Sequence, residues 1–175
     1  MQHFCPQFEI FALLLQFRLK KQLKQLKQHN HIPIMINIPQ LTEHIYDVVG
    51  AIFEVHKELG PGLNEYVYQE GLEMELTERN IVFERELSFH PSYHGNKMDA
   101  LFRIDFLCKG DIVVECKSVA ELLPVHYAQL FNYMRLLKAS CGIIVNFADT
   151  TAHIGRYFLD TEMKCIYNAN GKKVR

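Results

Sequence analysis

Asp105, Glu115 and Lys117 are the residues of this chain whose types and spacing could do chemistry. They share one stretch, Ala100-Leu-Phe-Arg-Ile-Asp-Phe-Leu-Cys-Lys-Gly-Asp-Ile-Val-Val-Glu-Cys-Lys-Ser118, where apolar and β-branched residues flank a turn cluster at Lys109-Gly110-Asp111. The pattern predicts a β-hairpin. Alternate strand residues point to opposite faces, so Arg103, Asp105 and Leu107 are expected on one face. Phe102, Ile104, Phe106 and Cys108 are expected on the other. A turn centred on Gly110 sets Asp105 opposite Glu115, with Lys117 one step along the same face. Opposed Cβ atoms lie roughly 4.5–5.5 Å apart. Two carboxylates at that range repel each other and favour a hard cation such as Mg²⁺ or Mn²⁺, which takes carboxylate oxygens and keeps waters. Such an ion polarises a phosphoryl oxygen and lowers the pKa of a bound water. The lysine can orient that water or offset charge on the phosphorane. The competing reading is a solvated strand face with mutual ion pairs.

Several elements must position these groups. Leu41, Ile45, Val48, Val49, Ile52, Phe53, His56 and Leu59 keep helical spacing, and Gly60-Pro61-Gly62 breaks that helix. Asn64 can cap a second helix from Glu65 to Arg79, with Glu65, Tyr68, Leu72 and Leu76 on one face. An acid in a first turn is favoured by the helix dipole, which alone accounts for Glu65; its carboxylate can also project off the helix end toward the sheet. A strand is expected over 81–89, then a loop over 91–97 and the hairpin. A helix follows over 125–138, with Val125, Ala128, Leu130, Phe131, Met134 and Leu137 as its apolar side. Gln129 and Tyr133, four apart, stack on one of its faces. Cys141 to Phe147 reads as a strand covered on both sides. Two short strands near 155–159 and 164–168 precede a frayed tail, 171–175.

The 175 residues suffice for one domain with its own core, and the net charge is −1. Five bases and one acid precede Met35, which leaves the rest at −5. That balance counts against tight non-specific nucleic-acid binding but harms a metal-dependent enzyme less, because the ion supplies positive charge. Five scattered cysteines without a C-x-x-C string suggest neither zinc nor a disulfide framework, and a reducing cytoplasm fits them. Residues 1–34 read as an N-terminal extension. Leu15, Leu19, Leu23 and Leu26 make a basic amphipathic face, set against a dispensable extension or a start at Met35. The apolar run there is too short to span a bilayer, so a membrane role is not expected. The domain is expected over 35–170.

The order helix, strand, hairpin, helix, strand, with D…E-x-K on the hairpin, resembles the PD-(D/E)XK nuclease superfamily. Gly62-Leu-Asn-Glu65-Tyr-Val-Tyr68 fits G-x-x-E-x-x-Y, the string that names the GxxExxY family within it. Phe53 to Leu63, Ile112 to Lys117 and Leu123 to Tyr133 look like that family too. The resemblance implies an α/β fold, a restriction-endonuclease-like mixed central sheet flanked by helices. It makes Asp105, Glu115 and Glu65 the metal-binding acids, Lys117 the motif lysine, and Gln129 with Tyr133 the Q-x-x-x-Y pair of RecB-like nucleases. Ile104 stands where the superfamily's name has Pro. The implied activity is Mg²⁺- or Mn²⁺-dependent phosphodiester hydrolysis. Asp105, Glu115, Lys117, Glu65 and Gln129 would be catalytic, and Arg103 and Tyr133 would contact substrate. Tyr133 and Tyr68 taken as residues alone are core aromatics with a polar tip. The implied partner is nucleic acid, DNA ahead of RNA, with a homodimer or protein partner as a further expectation. The alternative is a nuclease-fold module without activity that binds nucleic acid or a protein.

Overall fold

Two apolar faces need covering in this chain, and the computed structural model, which describes residues 38–175, covers each with helix. Helices α1 (Ile38–Leu59) and α2 (Glu65–Glu78) precede strand β1 (Phe83–Phe89) and a short ribbon, β2 (Ser92–Tyr93) and β3 (Asn96–Lys97). The hairpin β4 (Phe102–Cys108) and β5 (Ile112–Lys117) follows, then α3 (Pro124–Leu137), β6 (Cys141–Asn146), β7 (His153–Asp160) and β8 (Cys165–Asn168). Six strands form one mixed sheet in the order β1-β4-β5-β6-β7-β8. The β5–β6 pair is parallel and the others are antiparallel. Parallel neighbours need a long crossover, and α3 supplies it. The expected restriction-endonuclease-like fold, a mixed sheet flanked by helices, is the observed one. Among the described residues no helix is long and apolar enough to cross a membrane. The amphipathic reading of 1–34 falls outside the described residues.

One core packs α1 and α2 on the sheet: Ile45, Val48, Ile52, Tyr68, Leu72 and Leu76 meet Phe106, Val114, Ile143 and Phe147. The other packs α3, through Leu130, Phe131, Tyr133 and Met134, on Ile104, Val113 and Ile144. Gly142 permits the α3 contact: a Cβ there would stand 2.4 Å from Met134 Sδ and 3.0 Å from Leu130 Cδ1. Gly142→Ala is therefore expected to overpack this seam and cost about 1–3 kcal/mol, read as a lower urea midpoint. An unchanged midpoint would mean that α3 rides up freely.

Three expectations need correction. First, β4 does not keep one set of residues on one side. Phe102 and Ile104 pack with α3, whereas Phe106 and Cys108 pack with α1 and α2. β1 does the same: Phe83 joins the first core, and Leu87 and Phe89 join the second. The cause lies between. Glu86 has φ 51°, a left-handed conformation that rolls the strand over, and the paired ladder runs Arg85–Phe106 and Leu87–Ile104 but skips Glu86 and Asp105. Second, the tail is not frayed. It returns along β8, with the Val174 N–H on the Ile166 carbonyl at 2.8 Å and Ile166 N–H on the Arg175 carbonyl at 2.8 Å. Third, Val125 is exposed at the start of α3, and Tyr133 takes a buried place instead.

Candidate active site

The hairpin turn falls on Lys109 and Gly110, both with positive φ, and the β4–β5 ladder runs Cys108–Ile112, Leu107–Val113 and Phe106–Val114. The same register carried one step further sets Asp105 against Glu115, but the ladder stops before them. In place of a main-chain bond, the Asp105 carboxylate accepts the N–H of Cys116 at 2.8 Å. Asp105 has thus left the paired ladder on both sides. Its carboxyl fills the gap where β4 parts from β5.

Glu115 and Lys117 alternate with the core residues Val114 and Cys116 on a strand that is buried throughout. Glu115 is 1% exposed. Its Oε2 lies 3.4 Å from Lys117 Nζ, and its Oε1 has no hydrogen-bond partner. Lys117 Nζ also lies 3.7 Å from Glu65 Oε1. Glu65 opens α2 beside the cap, where Asn64 Oδ1 accepts the Val67 N–H. Three acids and one amine, distant in sequence, therefore meet where the sheet splays.

Their protonation reflects that crowding. Burial first, then the Asp105 charge, pushes Glu115 up to about 8 against the pull of Lys117. Burial also raises Asp105, although the Cys116 N–H and Lys117 oppose it. Glu65 is raised by burial, less Lys117. For Lys117 burial works downward, but the charges of Glu115, Asp105 and Glu65 outweigh it and hold the ammonium charged. An orphaned buried carboxylate oxygen beside a second strained carboxylate is the donor set that a hard cation satisfies. Among the described residues no three His, Cys, Asp or Glu side chains converge as a complete cage. An ion held by one or two carboxylates, waters and substrate needs none.

The loop between α1 and α2 is tied down on both sides. Tyr68 donates to the Gly60 carbonyl at 2.6 Å, accepts the Leu63 N–H at 3.2 Å and stacks on Phe147 with centroids 4.4 Å apart. Ser118 Oγ donates to the Leu63 carbonyl at 2.6 Å, which joins the start of α2 to the residue after Lys117. Gly62, at φ 92°, makes the turn that ordinary residues resist. The first and last letters of G-x-x-E-x-x-Y thus shape the loop that presents its glutamate.

Three residues escaped sequence reasoning. Gln69, buried one turn beyond Glu65, donates to Glu65 Oε1 at 3.5 Å and helps hold Asp105 ionised. Its spacing of four from Glu65 was the available signal. Asn146 grips Val119 from both ends of its amide, at 3.0 and 2.7 Å. A lone amide in the apolar Cys141–Phe147 run marked it. Glu86 bore no signal at all.

Of the remaining expected residues, Arg103 is exposed, 3.6 Å from Glu86, and its charge favours the ionised form of Asp105. Gln129 donates to the Tyr133 hydroxyl at 3.1 Å. Tyr133 is buried, edge-on to Phe89 and Phe102. The structure brings together Glu65, Asp105, Glu115 and Lys117 and leaves Gln129 and Tyr133 hydrogen-bonded to each other.

The profile of the PD-(D/E)XK nuclease superfamily matches residues 42–157. The chain belongs to that superfamily. The crystal structure of SSO0001 is similar at 22% identity and TM-score 0.41, over 80% of this chain and 74% of that one. No curated protein matches the chain. The matched span runs from within α1 to within β7 and holds all four clustered groups.

The left-handed residue gives a direct test of how this PD-(D/E)XK site is set. Glycine adopts φ 51° freely, whereas a β-branched residue resists it. Glu86→Gly is expected to fold at least as stably as the parent, and Glu86→Val to lose about 2 kcal/mol. Chemical denaturation of the pair decides it, and equal midpoints would remove the backbone argument.

Proposed function

We propose that this chain is a divalent-metal-dependent nuclease that hydrolyses phosphodiester bonds, of the GxxExxY type within its superfamily. The observation that carries the reading is the buried, partnerless oxygen of Glu115 beside Asp105 and Lys117. Asp105 and Glu115, with Glu65 assisting, would hold Mg²⁺ or Mn²⁺, which supplies Lewis acidity and a more acidic water. Asp105 is kept in place by the Cys116 N–H. Lys117, held charged by three carboxylates, is suited to orient the attacking water and to meet negative charge on the phosphorus oxygens. An ammonium that keeps its proton is a positioner and not a base. Arg103, on the exposed stretch of β4, is placed to touch a flanking phosphate. Gln129, which donates to the Tyr133 hydroxyl, would steady the substrate or Lys117, and Tyr133 would contact substrate. The test is incubation of mixed single- and double-stranded DNA and RNA with Mg²⁺, with and without a chelator. Cleavage that the chelator leaves intact, or none on any substrate, sinks the reading.

A second reading, a nuclease fold without activity that binds nucleic acid or a protein, is favoured by the acidic balance from Met35 onward, −5, which suits a weak substrate grip. Calorimetric titration with Mn²⁺ separates the two. The nuclease binds the ion and loses it in Glu115→Gln, and the inactive module takes up none.

A further inference from the structure

The β2–β3 ribbon is unaccounted for by the fold. It leaves the sheet at Phe89 and returns at Phe102, three residues and so about 10 Å before Asp105 along the strand. Between His90 and Leu101 only Pro91 is buried. The turn is built for a tight hairpin, with His94 at φ 50° and Gly95 at φ 81°. The base is pinned by the Met98 N–H on the Pro91 carbonyl at 2.8 Å and by a His90 ring nitrogen on the Met98 carbonyl at 3.1 Å. A two-stranded ribbon is marginal in water without a surface to lie on, yet this one displays Tyr93, Met98 and Leu101, 68%, 45% and 62% exposed.

Between Glu86 and Asp99 the one charged residue is Lys97, on β3, with His90 and His94 beside it. Arg103, exposed and 3.6 Å from Glu86, follows on β4 toward Asp105. The Tyr93 and His94 rings stand T-shaped with centroids 4.2 Å apart at the exposed tip. An exposed aromatic ring beside a lysine is the chemistry that holds unpaired nucleotides, since every base has a face to stack. Duplex hides those faces and asks for a longer row of cations than this acidic domain provides.

We propose that the β2–β3 ribbon is an arm that grips unpaired nucleotides next to the scissile phosphate, Tyr93 stacking on a base and Lys97 meeting the backbone. The proposal rests on the nuclease reading for the identity of the strand it grips. The full chain is titrated into labelled 12-nucleotide oligothymidylate, and separately into a 12-base-pair duplex, in Ca²⁺ and followed by fluorescence anisotropy. The parent is expected to favour the single strand by about tenfold or more. Tyr93→Ala and Lys97→Ala are expected to weaken that binding by about tenfold and severalfold, with unchanged melting temperatures. Equal or tighter binding of duplex by the parent, or unaltered single-strand binding by Tyr93→Ala, overturns the arm. Cleavage in Mg²⁺ is scored on the same samples. The expected binding pattern without cleavage ends the nuclease reading and leaves the arm standing. Cleavage with Tyr93-independent binding ends the arm alone. A parent that binds neither nucleic acid ends both.

Discussion

Lys117→Ala is expected to cut Mg²⁺-dependent cleavage by about 10²-fold or more while Mn²⁺ still binds. The ammonium lies 3.4 Å from Glu115 and 3.7 Å from Glu65, so in the metal-free protein it is the cation of the cluster. Its removal leaves the carboxylates, which then attract a divalent ion at least as strongly. What is lost is the positioned donor that meets the water and the phosphorus oxygens, and positioned groups of this kind contribute roughly 10²–10⁴ in rate. Cleavage and calorimetric Mn²⁺ affinity measured on one preparation separate catalysis from ion retention. A Lys117→Ala protein that cleaves within tenfold of the parent would remove the lysine from the mechanism. Loss of cleavage and of Mn²⁺ binding together would assign it to holding the pocket in shape.

Metal-free protein should melt progressively lower as pH rises from about 5 to 9, and Glu115→Gln should flatten that profile. Glu115 keeps its proton to about 8 when folded, whereas in the unfolded chain it loses it in the ordinary carboxylate range. Between those values the folded state holds the extra proton, so its stabilising share is complete at low pH and disappears as pH climbs through about 8. Asp105, raised by burial, has the same sign and leaves the mutant a residual slope. Lys117, also raised, gives up its share only beyond the ordinary lysine range and does not touch this window. A pKa unit is about 1.4 kcal/mol and a kcal/mol about 2–4 °C in a domain of this size, so the fall is on the order of 10 °C. Added Mn²⁺ should lift the high-pH melt of the parent and leave Glu115→Gln where it was. Parallel profiles for the two proteins would mean that Glu115 is not the buried acid under strain.

Much of this arrangement was legible from residue types. Asn64 before an acid, Gly60-Pro61-Gly62 after a periodic run and Lys109-Gly110-Asp111 between apolar strands each fix a boundary by local chemistry. The hairpin register followed from that turn and brought Asp105 level with Glu115. What could not be read was the roll of β1 and β4. Glu86 takes a left-handed backbone that its side chain gives no reason to expect, and the energy that holds it comes from two cores pulling Phe83 and Leu87 to opposite sides. Period-two alternation therefore misassigned Phe102 and Ile104. Gln129 and Tyr133 illustrate a different limit. Helical spacing showed that they touch, but not that the Tyr133 ring is buried edge-on to Phe89 and Phe102. The return of the tail was invisible because its hydrogen bonds to Ile166 are main-chain bonds, which any side chains permit; the Asn168 side-chain oxygen, which accepts the Lys172 N–H, was the one local signal.

The half-roll of β1 and β4 also governs how the molecule comes apart. Each strand feeds one hydrophobic cluster with one end and the second cluster with the other end. Neither layer of helices can detach without loosening strands on which its opposite number depends. Melting is thus bound to be a single cooperative event, with amide exchange in α3 and in α1 slowing to a common limit.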